Sequence, residues 1–403
     1  MIKFAVMGHG VVGSGTVELF LKNRELIAAR QGLPLELGYI LDIREFPGLS
    51  YSDKFTKDIN DILNDDEVKV VAEVMGGVHP AFEFIKQCLE KGKSVCTSNK
   101  ALVAAKGAEL LKIAREHDCN FLFEASTGGA IPLIRPIHTD LAGNEITGCA
   151  GILNGTTNYI LTQMLEHGTD FNEALSQAQA MGYAEKDPTA DIEGHDACRK
   201  ICILSSLIFG KHVYPEWVHC EGITDISAVD AAIAKRHGYA VKLIGSVSRT
   251  GDGKILPFVA PRLVPYTNQL AFVSDVFNGV MVYGNGMDEV MFYGKGAGKL
   301  PTASAVLGDI IECAKADHTI VSGTWEDSAD NSFIADYMSV PVTMYIRAEE
   351  GTELELKKEF DTIKVLEDDS EGFVFIIEGL CEKGIREKLK AAGAKVISMI
   401  RVL

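Results

Sequence analysis

The residues with most chemistry to offer lie between Gly182 and Lys200, where the chain reads Gly-Tyr-Ala-Glu-Lys-Asp-Pro-Thr-Ala-Asp-Ile-Glu-Gly-His-Asp-Ala-Cys-Arg-Lys. Glu185, Asp187, Asp191 and Glu193 fall in a polar loop, because Pro188 stops a helix before it and Gly194 stands just ahead of the next one. From His195 the apolar residues Ala197, Ile201, Leu204 and Ile208 recur at spacings of three and four, which predicts a helix. Asp196 and Lys200 are four apart and share one face of it, beside Ile201 and Ile203. The bland reading of such a pair is a solvated helix ion pair worth a few tenths of a kcal/mol. The sharper one is a proton-transfer site, since a lysine at the edge of a buried surface and ringed by carboxylates can hold and release a proton in place. Spacing does not say which of Lys186, Asp187, Asp191, Glu193 and His195 meet a substrate.

The elements upstream supply what such a lysine lacks. Ile2–Met7 reads as a buried strand, Gly8-His9-Gly10-Val11-Val12-Gly13 follows at once, and Ser14–Lys22 continues as a helix. This is the strand, glycine loop and helix of a dinucleotide-binding unit. Gly8 permits the tight turn, Gly10 lets backbone approach a pyrophosphate, and Gly13 lets helix and strand pack closely, with the helix N-terminus facing the anion. His9 reads as a loop residue facing the cofactor. A second strand, Leu37–Leu41, ends at Asp42 with Arg44 two residues on. A carboxylate there favours the free ribose hydroxyl of NAD and an arginine the phosphate of NADP, so both remain open. Strands at Val68–Val74, Ser94–Thr97 and Phe121–Phe123 alternate with a helix at Pro80–Lys91, indicating a doubly wound parallel sheet. Gly76-Gly77 and Ser98-Asn99-Lys100 fall at carboxyl ends of strands, where such sheets bind ligands. Lys100 suits a phosphate, a substrate carboxylate or a reacting oxygen; its plain alternative is a solvated loop lysine.

From Gly151 the character changes. Gly151–Leu153 reads as strand, and Thr156, Thr157 and Asn158 as caps of a helix reaching His167, equally suited to hold a small polar substrate. Strands at Tyr239–Val247, Leu256–Leu263, Phe272–Tyr283 and Glu289–Tyr293 indicate an α+β domain with an open mixed sheet. Gly294-Lys295-Gly296-Ala297-Gly298 is a second glycine loop before a helix, whose amides suit the same anionic cofactor. The last segment has strands at Val342–Arg347, Phe373–Ile377 and Ala394–Val402 and a helix at Glu382–Ala392, with no helix placed between its first two strands. The expected division is residues 1–135 for the dinucleotide, 136–320 for catalysis and dimerisation, a linker at 321–340, and a small α+β module at 341–403.

Composition bounds the remaining choices. With 403 residues, 47% hydrophobic and 24% charged, the chain reads as a multidomain globular protein. A net charge of -17 without basic runs argues against nucleic acid, and no stretch of about 18 apolar residues suggests a membrane span. Nine scattered cysteines without a CxxC pair read as free thiols in the cytoplasm.

Together, Val6–Gly13, Ser98–Lys100, Glu124–Pro132, Gly151–Tyr159, Gly182–Lys200 and Gly294–Gly298 resemble homoserine dehydrogenases over residues 1 to about 320. The resemblance implies reversible NAD(P)H-dependent reduction of aspartate 4-semialdehyde to homoserine, in threonine and methionine biosynthesis, by a homodimer or tetramer. It implies Lys200 as general acid with Asp196 beside it, Lys100 as a second active-site lysine, and Glu185, Thr157 and Asp191 on the substrate. It places the cofactor on Gly8, Gly10, Val11, Val12, Gly13, Asp42, Arg44, Gly76, Ser98, Lys100 and Gly298. It also implies a structural sodium ion held by main-chain carbonyls of Glu124, Thr127, Gly129 and Ile131. The tail resembles an ACT-type module, although Glu349-Glu350-Gly351-Thr352 departs from the glycine loop that binds an amino acid there. The rival readings are another small-aldehyde dehydrogenase and a non-catalytic nucleotide or amino-acid sensor. An aldehyde-oxidising enzyme needs a nucleophilic cysteine beside a base, and Cys96 and Cys149 lie within apolar strands instead.

Overall fold

The computed structural model describes residues 2–316, 319–328 and 330–403. The chain forms two compact units: residues 1–146, 202–215 and 292–329 make the first, and residues 147–201, 216–291 and 330–403 the second.

In the first unit, β1 (Ile2–Met7), β2 (Leu35–Leu41), β3 (Phe55–Thr56), β4 (Val68–Glu73), β5 (Ser94–Thr97) and β6 (Phe121–Leu122) form a sheet of order β3-β2-β1-β4-β5-β6. Every pairing in it is parallel. The order reverses between β1 and β4, which is the switch point at which such sheets open a crevice for a dinucleotide. Helices α1 (Val11–Gln31), α2 (Ile59–Leu63), α3 (Ala81–Glu90), α4 (Lys100–Glu116) and α5 (Ile134–His138) connect and follow the strands. Phe4, Val6, Ile40, Val70 and Ala72 are fully buried between Phe20 and Val17 of α1 and the later residues Val306 and Ile310. Phe4 and Phe20 meet edge to face at 4.8 Å. α4 has no counterpart in the sequence reading. Its Gly107, a helix breaker by propensity, is required by packing: a Cβ there would stand 2.6 Å from the Trp325 ring.

The second unit opens with β7 (Ile146–Ile152), α6 (Gly155–His167), α7 (Phe171–Ala180), α8 (Thr189–Ile192) and the start of α9 (His195–Phe209). Pro188 does not merely stop a helix; it caps α8, so the expected loop contains a helical turn. β8 (His219–Cys220), α10 (Ala228–Arg236), β9 (Tyr239–Arg249), β10 (Ile255–Pro265), β11 (Phe277–Gly284) and β12 (Asp288–Lys295) follow. α11 (Lys299–Lys315) returns to the first unit, where Gly15 of α1 packs against the Lys299 backbone and Ala303. The tail is β13 (Pro341–Ala348), α12 (Glu353–Glu359), β14 (Lys364–Asp369), β15 (Gly372–Cys381), α13 (Glu382–Ala391) and β16 (Val396–Val402). A helix does stand between its first two strands; at seven residues, with only Leu356 buried, α12 carries too little apolar periodicity to be read.

Among the described residues the second unit's sheet has the order β12-β11-β7-β9-β10-β16-β13-β15-β14, with β8 paired to β10. β16 pairs in parallel with β10 at Arg262–Arg401 and Leu263–Val402. The tail, expected as a module of its own, thus continues the sheet that carries β7, β9 and β10. The segment expected as a linker also packs: the Ala335 amide donates to the Ile255 carbonyl at 2.8 Å, and the Ile255 amide to the Phe333 carbonyl at 3.0 Å.

Candidate active site

The first glycine loop is built for an anion. Gly8 sits at φ +98°, a Cβ on Gly13 would lie 1.9 Å from the Gly8 carbonyl, and the space beyond Gly10 is open. Gly10 caps α1, so the amides of Val11, Val12 and Gly13 belong to a first helical turn, where no intrahelical acceptor exists. These residues fit a dinucleotide pyrophosphate. The Gly298 cap of α11, at φ +124°, lies on the helix that packs against α1 in the same unit.

Asp42 ties this loop to the end of β2. Its carboxylate accepts from the His9 amide at 2.7 Å, from the Arg44 amide at 2.9 Å, and from Arg44 Nε and Nη2 at 3.0 and 2.9 Å. The Arg44 fork holds the Asp42 carboxyl far below the usual carboxylate range. The guanidinium itself stays more than half exposed. His9 departs from expectation: its ring is buried against Phe46, Tyr51 and Phe55, and burial lowers its pKa.

Glu73 is a residue the sequence reading passed over. Fully buried at the end of β4, it accepts from the Met75 and Gly76 amides at 2.7 and 3.3 Å and from Thr97 Oγ1 at 2.6 Å. Asn99 then donates to the Gly77 carbonyl at 2.5 Å and caps α4, whose first residue is the half-buried Lys100. One carboxylate therefore shapes both strand-end loops around Gly76 and Ser98.

In the second unit, Lys200 and Asp196 are both buried. Lys200 Nζ stands 2.8 Å from Asp196 Oδ2 and donates to the Leu153 carbonyl at 2.6 Å. The hub of the site is Asn154, which no spacing argument singled out. Its amide nitrogen donates to Asp191 Oδ1 at 2.7 Å and to Asp196 Oδ2 at 2.9 Å, while its oxygen caps α6 by accepting from the Thr157 amide at 2.8 Å. Thr156, Thr157 and Asn158 are thus not the caps expected of them. Thr157 Oγ1 contacts Asn154, and Asn158 donates to the carbonyls of Val273, Asp275 and Phe277. Asp191, Asp196, Lys200 and Thr157 converge through Asn154. Glu185 stays exposed on its loop, where its carbonyl accepts from Gln179 at 3.1 Å. Lys100 and the cofactor loops belong to the first compact unit; Thr157, Glu185, Asp191, Asp196 and Lys200 belong to the second.

Around Glu124, the carboxylate accepts from the amides of Leu133, Ile134 and Arg135 at 2.5, 2.9 and 2.7 Å. The Thr127 hydroxyl is buried without a hydrogen-bond partner among the described residues. There is no cluster of three or more His, Cys, Asp or Glu side chains suited to a metal among the described residues. No helix of the described residues is long and apolar enough to cross a membrane.

Comparison with known proteins decides the family. Residues 8–124 match the model of the homoserine dehydrogenase NAD binding domain, and residues 132–311 that of homoserine dehydrogenase itself. The chain belongs to the homoserine dehydrogenase family. It is 42% identical over 314 residues to the homoserine dehydrogenase of Synechocystis sp., spanning 77% of this chain and 72% of that one. The structure of a homoserine dehydrogenase from Thiobacillus denitrificans covers 100% of this chain and 98% of its own, with a TM-score of 0.90 at 31% identity. A hyperthermophilic archaeal homoserine dehydrogenase mutant in complex with NADPH covers 78% of this chain and 98% of its own, with a TM-score of 0.65 at 26% identity. The protein is accordingly an NAD(P)-dependent oxidoreductase of amino-acid biosynthesis with homoserine dehydrogenase activity. Residues after 311 lie beyond both family models, whereas the Thiobacillus structure matches the tail as well.

Proposed function

We propose that the buried lysine at position 200 is the proton donor in reversible reduction of aspartate 4-semialdehyde to homoserine. The observation that carries this reading is Lys200 Nζ held between the Asp196 carboxylate and the Leu153 carbonyl, in a network closed by Asn154. Bound NAD(P)H supplies the hydride. As negative charge grows on the former aldehyde oxygen, a fixed ammonium stabilises it and then protonates it; in the reverse direction the amine receives the proton of the hydroxyl. Asp196 and the Leu153 carbonyl aim Nζ, and Asn154 is a positioning residue that acts through both aspartates. Asp191, Thr157 and Glu185 hold the zwitterionic end of the substrate, and Lys100 is the second active-site lysine.

The cofactor rests on Gly8, Gly10, Val11, Val12, Gly13, Gly76, Ser98 and Gly298. At the adenosine ribose, the Asp42 carboxylate is engaged by His9 and Arg44. That leaves the exposed Arg44 guanidinium as the group facing outward and favours the phosphate of NADP. A sodium ion on the carbonyls of Glu124, Thr127, Gly129 and Ile131 is supported by two features: the Glu124 side chain is committed to amides, and Thr127 presents a buried hydroxyl without a partner. The working form is a homodimer or tetramer, and nine free thiols suit the cytoplasm.

Homoserine oxidation followed by absorbance, with NAD and NADP in parallel, tests the assignment. Lys200→Ala is expected to lower turnover by about 10²–10⁴-fold while cofactor affinity changes little. A variant that keeps a third of the wild-type rate removes Lys200 from the role.

A further inference from the structure

The seam between β10 and β16 holds a charge that the reaction does not use. Arg262 and Arg401 stand opposite one another on the paired strands, with guanidinium carbons 5.4 and 4.7 Å from the centre of the Phe258 ring. Arg401 is neutralised. It donates to both oxygens of Glu221 at 2.7 and 2.9 Å, and to Glu382 Oε2 at 2.9 and 2.6 Å. Arg262 has no such partner among the described residues. Its Nη2 donates to the Ser246 hydroxyl at 3.0 Å, and its Nε is buried with no hydrogen bond. Burial, with the like charge of Arg401 adding to it, lowers this guanidinium to about 10. Leaving a charged donor buried and unmatched is costly, and removing the cost takes an acceptor of opposite charge.

The space for one is present. Arg262 lines a cavity of about 680 Å³ within the second unit, walled by β7, β9, β10 and residues 337–343. The hydroxyls of Thr147, Ser246, Ser248, Tyr283 and Tyr337 line it as well. Two aromatic rings, Phe258 and Tyr337, line it, and each stacks on His219, with centroids 5.1 and 3.8 Å away. The terminal nitrogens of a guanidinium, rather than its enclosed Nε, are the donors a carboxylate in the cavity can use. Arg249 and the paired Arg401 and Glu382 line the cavity too, and the Glu382 carboxylate there disfavours a doubly charged phosphate against a monoanion.

We propose that this cavity is a second ligand site that takes a small organic monocarboxylate with an apolar or aromatic body, anchored by Arg262. Its occupant spans two parts of one sheet, joining β7, β9 and β10 to the tail.

Isothermal titration of the full-length protein saturated with NADPH tests this, with benzoate as probe, its neutral analogue benzamide, and inorganic phosphate. Benzoate is expected to bind and to raise the melting temperature, benzamide to do neither, and phosphate to bind at least tenfold more weakly than benzoate. Arg262→Gln is expected to weaken benzoate at least tenfold with homoserine oxidation in its absence within twofold of wild type. Ser246→Ala, which removes the hydroxyl that orients the guanidinium, is expected to weaken it severalfold and serves if the arginine variant does not fold. The proposal fails if benzoate does not bind, if benzamide binds equally, or if both variants bind benzoate as wild type does. It also fails if Arg262→Gln instead dissociates the oligomer, because the guanidinium then meets an acidic group of a second copy.

Discussion

Asn154 separates what a single side chain contributes to fold from what it contributes to chemistry. Its oxygen caps α6 and its nitrogen bridges Asp191 and Asp196, 37 and 42 residues further along the chain. Serine caps a helix about as well as asparagine but cannot reach two carboxylates at once. Asn154→Ser is therefore expected to keep the cap but to lose the bonds to both carboxylates, at a cost of about 1–3 kcal/mol in stability. Turnover is expected to fall by about 10–100-fold, part of what a positioned general acid contributes, with an altered alkaline limb in the pH–rate profile. Wild-type turnover and pH profile in this variant leave Asn154 as a cap and nothing more. The asymmetry in legibility has a physical basis. Lys200 and Asp196 were readable because an i,i+4 pair on an amphipathic helix is local information. Asn154 was not, because its partners are brought to it by tertiary packing; the signal available was an asparagine just before Gly-Thr-Thr at a strand-to-helix turn. Glu73 shows the same limit, being a strand residue in sequence and a loop organiser in space.

At the scale of elements, α10 is held to the tail by one buried carboxylate. Asp230 accepts from Tyr345 Oη at 2.9 Å, Arg347 Nε at 2.8 Å and Ser398 Oγ at 2.7 Å, and both Asp230 and Arg347 are buried. Asp230→Ala leaves the arginine buried without its counter-charge, which is expected to cost about 3–5 kcal/mol in urea unfolding. Burial pushes the Asp230 carboxyl upward, but Arg347, Ser227 and Ser398 outweigh it and hold it below its ordinary 3.8. A carboxyl depressed on folding stabilises the protein above its unfolded value, and that stability is lost as pH falls through the folded one. The acid limb of wild-type stability below about pH 4 is therefore expected to flatten in Asp230→Ala, and an unchanged limb counts against the latch. The strands of this region were legible from their alternation. α4 and α12 were not: Gly107 interrupts one by propensity, and the other buries a single leucine, so periodicity carried no signal for either.

Over the whole molecule, sequence order and spatial grouping diverge. Residues 292–329 return to the first unit and residues 330–403 complete the second, so each unit is assembled from three stretches of chain. Local patterns mark elements, whereas which sheet an element joins depends on edges that only the folded chain presents. The tail shows the consequence. It reads as a small α+β module, yet β16 covers the β10 edge at Arg262 and Leu263, Arg401 neutralises Glu221, and Arg347 neutralises Asp230. Ending the chain after Val340 strips all three at once, exposing an unpaired strand edge and leaving Asp230 and Glu221 without their arginines. The truncated chain is expected to aggregate, or to unfold without a cooperative transition, and to lose homoserine oxidation although Lys200, Asp196 and Asn154 are untouched. Sedimentation, urea unfolding and the absorbance assay on the same preparation check this. A soluble truncated enzyme with wild-type turnover and melting temperature shows instead that the sheet closes without its last four strands, and that the tail is an appendage to it.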